Sequence, residues 1–400
     1  MHPIYMDHHA TTPLDPRVLD AMMPYLTHEF GNASSRTHPW GWRAEEAVDA
    51  ARQQVAAALN CRPDEVVFTG GATESNNLAI KGVAAAYRDR GKNHIVTAKV
   101  EHSAVLEPCQ ALERQGFAVT YVDVDRFGVV DPDEVRAAIT DETALISVIW
   151  AHNEIGTIQP LAELGRIADE TGAVLHTDGV QAFAKYDSDV EKLGVDLMAL
   201  SAHKIYGPKG VGALYIRKRR PRIRIQPQIE GGGQERKLRS GTLNVPGIVG
   251  LGKAAELYGE CRDEERERVG ALRDRLRDTL LDRVGYIHLN GHPIERLYNS
   301  LNVSFEFVES ESLLMTLRDI ALSSGSACTS ASLESSSALL ATGMDDSLAH
   351  SAVRFGLGRG NTVEEVDAVA SAVIDAVARQ RELSPLYEMK RRGVDVMASE

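Results

Sequence analysis

Seven short apolar runs dominate the first half of the chain and limit what it can fold into. They are "VVFTG" (66–70), "HIVTA" (94–98), "VTYVDV" (119–124), "ALISVIW" (144–150), "AVLHTD" (173–178), "DLMALSAHK" (196–204) and "GALYI" (212–216). The stretches between several of them are helical in pattern: "TESNNLAIKGVAAAYRDR", "SAVLEPCQALERQ", "DPDEVRAAI" and "LAELGRIADETG". Short apolar strands spaced by helices predict an α/β fold, its mostly parallel sheet covered on both faces. Upstream, Asp15-Pro16 reads as an N-cap followed by proline at the first helical position. An amphipathic helix is expected over 42–59.

From about Pro246 the pattern changes. A long charged amphipathic stretch reaches about Arg283 and reads as a helix bridging two domains. Mixed strand and helix signals follow: "LNVSFEF", "SLLMTLRDI", the serine-rich "SSGSACTSAS" (323–332), "AVRFGLGR" and a terminal helix from about Val363. Four hundred residues suit two domains. The expected division is 16–260 for a large ligand-binding domain. Residues 1–15 and 261–400 form a smaller α+β domain carrying Cys328.

The formal charge of −13 argues against nucleic acid or a membrane surface as partner. The basic run "RKRRPRIR" (217–224) is read as a solvated strand end and turn, ahead of a docking patch for an acidic partner. No apolar stretch approaches the roughly 20 residues of a membrane span. The N-terminus resembles no targeting segment, so a reducing cytoplasm is the expected compartment. Cys61, Cys109, Cys261 and Cys328 show no metal or CxxC spacing and read as free thiols. The first three lie in or beside helical stretches and read as filler. Cys328, among small polar residues, does not.

In open α/β sheets, ligands gather at the carboxyl ends of the strands. Asp178 ends "VLHTD". It reads either as a helix cap or as a fixed negative charge facing a cationic ring nitrogen. Lys204 ends an apolar run beside Ser201 and His203, which offer phosphate-binding donors. A partly desolvated lysine loses proton affinity and attacks an aldehyde more readily. "FTGGATESNN" places a Gly-Gly turn before a helix start near Thr73, a weak anion-site signal by itself. A reactive lysine, a carboxylate and a phosphate cradle have one economical explanation, pyridoxal 5'-phosphate (PLP). His102 is placed to stack on its ring and move protons, although a helix-capping role is the bland alternative. Arg354 suits a bidentate grip on an α-carboxylate, or an interdomain ion pair.

The motifs "GATESNNLAIKG", "VEHSAVL", "NEIG", "HTDGVQ", "SAHKIYGPKGVGALY", "GGGQERKLRSGT" and "SSGSACTSASLE" run through nearly the whole chain. With them the chain resembles the NifS/IscS-type cysteine desulfurases of the class V aminotransferase family, PLP fold type I. It looks most similar to their housekeeping IscS branch. The resemblance implies a PLP-dependent removal of sulfur from L-cysteine that yields L-alanine and a persulfide on Cys328. It implies a large domain with a seven-stranded sheet. Lys204 would hold the cofactor and move the Cα proton, Asp178 would face the ring nitrogen and Gln181 the phenolic oxygen. His102 would stack on the ring. Ala72, Thr73, Ser201, Ala202 and His203 would hold the phosphate, with Thr242 reaching across a homodimer. Asn153 and Arg354 would hold the substrate carboxylate, Asn153 also touching the cofactor. No intrinsic metal is implied, although Cys328 could transiently ligate a nascent iron–sulfur cluster with a scaffold. The implied partners are an IscU-type scaffold and other sulfur acceptors.

Several positions depart from the pattern. His8-His9 stands where relatives vary, and adjacent histidines are poorly spaced for a metal. His152 replaces a common asparagine. The tail after "SPLYEM" ends differently from housekeeping members, so a dedicated sulfur pathway is the alternative destination. Other readings on the same fold are a selenocysteine lyase, an aminotransferase, or a non-catalytic docking subunit.

Overall fold

The computed structural model describes residues 3–219, 221–324 and 335–393. Cys328, Arg220 of the basic run and the last seven residues of the tail lie outside them.

Among the described residues, the principal sheet has seven strands. Their spatial order is Val66–Thr69, Gly212–Ile216, Leu197–Ser201, Val174–Asp178, Thr143–Ser147, His94–Ala98 and Ala118–Val122. The five from Leu197–Ser201 to Ala118–Val122 are mutually parallel. Gly212–Ile216 runs antiparallel to both of its neighbours. The cause is the short link between Ser201 and Gly212. It holds one helical turn and the Gly/Pro stretch 207–210, too little chain for a parallel crossover. The runs in the four central parallel strands are buried on both faces, as their lack of alternation requires, whereas the edge strand Ala118–Val122 is half-buried.

A second, four-stranded antiparallel sheet is ordered Ser323–Ser324, Ala352–Gly356, Ser300–Phe305 and Ile287–Leu289. The N-terminal segment returns to this end of the molecule, where Ile4–Tyr5 pairs in parallel with Ile320–Ala321.

One helix, Val245–Arg283, crosses from one apolar core to the other. Ile248, Leu251, Ala255 and Tyr258 enter the large core; Val269, Leu272, Leu276 and Leu280 enter the small one. Both sets follow the three-and-four spacing of a single helical stripe. Ile4 and Met6 pack in the smaller core.

Between the two stripes the helix carries a buried polar junction. Glu265 Oε1 accepts from the Tyr258 hydroxyl at 2.5 Å and from Tyr298 at 3.0 Å. Its other oxygen accepts from Arg359 Nε at 2.9 Å. Arg359 also donates to Asp15 Oδ2 at 2.9 Å and lies 4.0 Å over the Tyr206 ring. Asp15 meanwhile caps the helix Pro16–Thr27, with proline at its first position as the sequence indicates. The basic run is held internally over its first residues. Arg217 and Arg219 face the buried Asp196 at 3.7 and 3.1 Å, and Lys218 pairs with Asp64. Among the described residues, no helix is long and apolar enough to cross a membrane.

Candidate active site

Four parallel strands deliver their carboxyl ends to one region. Val174–Asp178 ends in Asp178, which is almost fully buried. Asn76 Nδ2 donates to its Oδ2 at 2.7 Å, and the Val180 amide donates to Oδ1 at 3.1 Å. Both carboxylate oxygens are therefore oriented. The neighbouring Glu101 is fully buried, with Oε1 accepting from the Ile149 amide at 2.6 Å. Burial, reinforced by the charge of Asp178, pushes Glu101 well above the usual carboxylate range. Glu101 therefore gives up its proton less readily than an ordinary carboxyl. Sequence reading missed Asn76 and Glu101. The signal for Asn76 was a polar residue on the apolar stripe of its helix, where Ser75 and Asn76 are both fully buried.

Beyond Leu197–Ser201 the chain makes one 3₁₀ turn, Ala202–Lys204. Lys204 Nζ donates to the carbonyl oxygens of His9 and Ala10 at 2.5 and 2.7 Å. Gln181 Nε2 donates to the same His9 carbonyl at 3.0 Å, and Gln181 Oε1 lies 3.1 Å from His9 Nδ1. The N-terminal segment therefore threads between Gln181 and Lys204, which makes His9 a member of the site that its sequence context did not reveal. The segment is fixed further along by Thr12, which donates to the His203 carbonyl at 3.0 Å and accepts from the Tyr206 amide at 2.8 Å. His203 Nδ1 lies 3.1 Å from Thr11 Oγ1. Burial, with the charge of Lys204 second, pushes His203 down to about 4, so its ring is neutral at pH 7.

Gly212 pairs with Ser201 on one side and with Thr69 on the other. The turn after Thr69 and the turn after Ser201 therefore lie at neighbouring strand ends. Gly71, at φ 149°, leads into the helix Ala72–Arg88. A β-carbon on Gly71 would meet nothing within 4 Å, so space lies open before the helix N-terminus. Free backbone N–H groups and the helix dipole suit that space to an anion. Thr73 is exposed there, Ala72 half-buried, and Ser201 and Ala202 buried. Thr242 is exposed, and no hydrogen bond among the described residues ties its side chain to this cluster.

His102 caps the helix Ser103–Glu113, with Nδ1 accepting from the Ala104 amide at 3.0 Å. The capping bond assigns Nε2 as the nitrogen that carries hydrogen in the neutral ring. Arg354 is 1 % exposed in the middle of Ala352–Gly356. Its Nη2 donates to Asp7 Oδ1 at 2.8 Å and to Ser323 Oγ at 3.1 Å, and its Nη1 donates to the Asn153 carbonyl at 3.1 Å. Its Nε is buried without a partner among the described residues. The charges of His102 and Arg354 both reach His152 and Glu154, so the 152–154 turn lies between them. Burial holds His152 down at about 3 and Glu154 above its ordinary range.

The class-V aminotransferase family model matches residues 4–369. A cysteine desulfurase IscS of Anaeromyxobacter dehalogenans is 56% identical over 394 residues, covering 98% of this chain and 97% of that one. The human cysteine desulfurase is 52% identical over 396 residues, covering 99% of this chain and 86% of that one. A solved NifS-like protein superposes with a TM-score of 0.87 at 38% identity, covering 94% of this chain and all of the other. The chain is a class-V aminotransferase of the cysteine desulfurase branch. A further structure, of SspA in complex with cysteine, superposes with a TM-score of 0.79 at 37% identity, covering 88% of this chain and 98% of that one. In this desulfurase the described cysteines are poorly reactive. Burial pushes Cys61 and Cys109 up to about 12 and raises Cys261 as well.

Proposed function

We propose that this desulfurase uses PLP, seated at the strand ends, to take sulfur from L-cysteine, and that Cys328 receives it. The observation that carries the reading is the meeting of three unlike groups at adjacent ends of one sheet. They are the Lys204 amine, the oriented Asp178 carboxylate and the open helix terminus at Gly71. These residues fit PLP, which needs an amine for its aldehyde, an anion for its ring nitrogen and N–H donors for its phosphate.

When bound, PLP supplies a sink for the electron pair released at the substrate's Cα. The protein does the rest. Two backbone carbonyls aim the Lys204 amine, which also moves the Cα proton. Asn76 and the Val180 amide hold Asp178 so that its charge faces the ring nitrogen. Gln181, locked to His9 from both ends of its amide, holds the ring's phenolic oxygen. His102, fixed by its capping bond, would stack on the ring and move protons. Ala72, Thr73, Ser201, Ala202 and His203 bind the phosphate, and Thr242 serves the site of a second copy. Asn153 and Arg354 take the substrate carboxylate. Arg354 brings its unspent Nε, and Asp7 shares the rest of the guanidinium. The Cys328 thiolate attacks the substrate sulfur; the C–S bond breaks, an S–S bond forms, and the carbon left behind gains a proton to become alanine. The persulfide then passes to an acceptor such as an IscU-type scaffold.

Cys328→Ser is expected to keep the cofactor and to bind cysteine, yet to form no persulfide and release alanine at under a hundredth of the normal rate, about 3 kcal/mol of barrier. Alanine and sulfide are assayed with a thiol reductant as final acceptor. Normal alanine release by the variant would remove Cys328 from the reaction. Transamination of a keto acid at a comparable rate would move the chain to the aminotransferase reading.

A further inference from the structure

The link between the strands Val174–Asp178 and Leu197–Ser201 turns inward at one residue. Ala184 holds φ at 62°, a left-handed conformation that a β-carbon disfavours by roughly 1–2 kcal/mol. Its amide is tied to Ser188 Oγ at 3.0 Å. The next side chain, Lys185, is 2 % exposed, and its Nζ has no hydrogen-bond partner among the described residues. Lysine is rarely buried without an acceptor, because an unpaired ammonium loses its hydration and gains nothing in return. A methionine would fill the same space without that cost. A strained alanine and an unpartnered amine thus fall together, and packing requires neither.

What surrounds the amine gives it a use. Burial first, and the charge of Lys204 second, push Lys185 down to about 7, against the pull of Glu265. The charge of Lys185 in turn depresses His8 and His9 on the N-terminal segment and His203 beside Lys204. The groups that act on Lys185 or feel it are therefore Lys204, Glu265, His8, His9 and His203. His9 is also the residue whose carbonyl holds Lys204 Nζ. Lys185 thus lies within electrostatic reach of Lys204 and of the N-terminal segment whose carbonyls hold it, and it has no role in binding or chemistry above.

We infer that Lys185, a buried amine without a hydrogen-bond partner among the described residues, is a positioning residue that acts on the reaction through the charge of Lys204. The inference rests on Lys204 being the lysine that bears the cofactor. Its consequence is charge compensation. When the nitrogen at position 204 is protonated, Lys185 stays neutral; when that nitrogen loses its proton, Lys185 can take one up from solvent. The two amines then never carry unbalanced positive charge together, which burial would strongly disfavour.

The test reads the absorbance of the bound cofactor in the holoenzyme across a pH titration, not turnover. Wild type is expected to show two steps, one of them near neutrality. Lys185→Met loses the neutral step and keeps the other. Lys185→Arg, whose charge does not titrate, also loses the neutral step. It moves the remaining step to lower pH by about one unit, a tenfold weaker proton affinity at position 204. A purely structural lysine predicts none of these differences. A single-step wild-type curve overturns the inference without any variant, should the variants fold poorly. So does a neutral step that survives in Lys185→Met. Borohydride reduction and peptide mapping on the same samples separate the two readings. Cofactor found on Lys204 with unmoved spectra overturns the inference alone; cofactor found elsewhere overturns both.

Discussion

The wall of the site built by the large sheet and the wall built by the small sheet are made in opposite ways. On the large sheet, Asp178 and Ser201 close their strands and Lys204 follows within one helical turn. A strand end tolerates almost any residue, so a polar group there adds function without disturbing the packing. On the small sheet, Arg354 stands in mid-strand, fully buried, and depends on Asp7, Asn153 and Ser323, which come from three distant parts of the chain. The first wall can lose a functional group and still fold. The second would join function to stability, because the same guanidinium that we propose takes the substrate carboxylate also holds Asp7 of the N-terminal segment.

That contrast can be broken by experiment. Asp178→Asn is expected to lower kcat by about 10²–10³-fold, the usual cost of removing an oriented charge from a reacting centre. Its thermal midpoint should change little when measured without cofactor. A large loss of cofactor-free stability would make the first wall structural as well. Arg354→Met is expected to do damage of both kinds. Cysteine KM rises steeply, and denaturant unfolding shows a loss of about 3–5 kcal/mol, since Asp7 is left facing a buried gap. Loss of binding alone, with stability intact, would dissolve the distinction. Asp7→Asn removes the ion pair while keeping a hydrogen-bonding side chain. We expect about 1–2 kcal/mol of destabilisation with kcat preserved, read from the same two assays.

Acid sharpens the comparison further. Burial holds His152, on the turn beside Arg354, and His176, inside the large sheet, at about 3. In the unfolded chain both bind protons near pH 6.5, so stability they confer above that value drains away as pH falls toward 3. His176→Leu should flatten the fall in denaturant midpoint between neutral and mildly acidic pH relative to wild type. An unchanged slope would mean that His176 is already charged in the fold. The smallest expected effect is that of Glu101→Gln. Burial disfavours the ionised form of this carboxyl and an amide keeps its shape, so stability should shift by under about 1 kcal/mol and activity by a few-fold at most. A large effect would show Glu101 to be ionised beside Asp178.

The same contrast explains what could be read from sequence. The runs at 94–98 and 212–216 coincide with the strands His94–Ala98 and Gly212–Ile216, because continuous apolar character between turn residues is a local property. The run 196–204 reads as one strand, yet the strand stops at Ser201. A β-carbon on Gly207 would lie 2.8 Å from Ala202 Cβ, and this close approach folds the chain into a turn just before Lys204. For His102 the capping and catalytic readings are compatible, because the capping bond fixes the ring; Asp178 is no helix cap, since the next helix, Val190–Leu193, is capped by Asp189. The partners of Arg354 were illegible, Asp7 being 347 residues away. So were His9, which looked like a stray histidine, and Lys185, whose burial no local pattern announces.

The long helix Val245–Arg283 has its early turns set in one core and its late turns in the other. At about 1.5 Å of rise per residue it is a strut nearly 60 Å long. Swinging the lobes apart would mean snapping its backbone ladder next to Glu265, where Tyr258, Tyr298 and Arg359 are clamped. Calorimetry should therefore register the two cores melting as one cooperative unit, and any opening of the catalytic cleft must come from shear and slight bending rather than a free hinge.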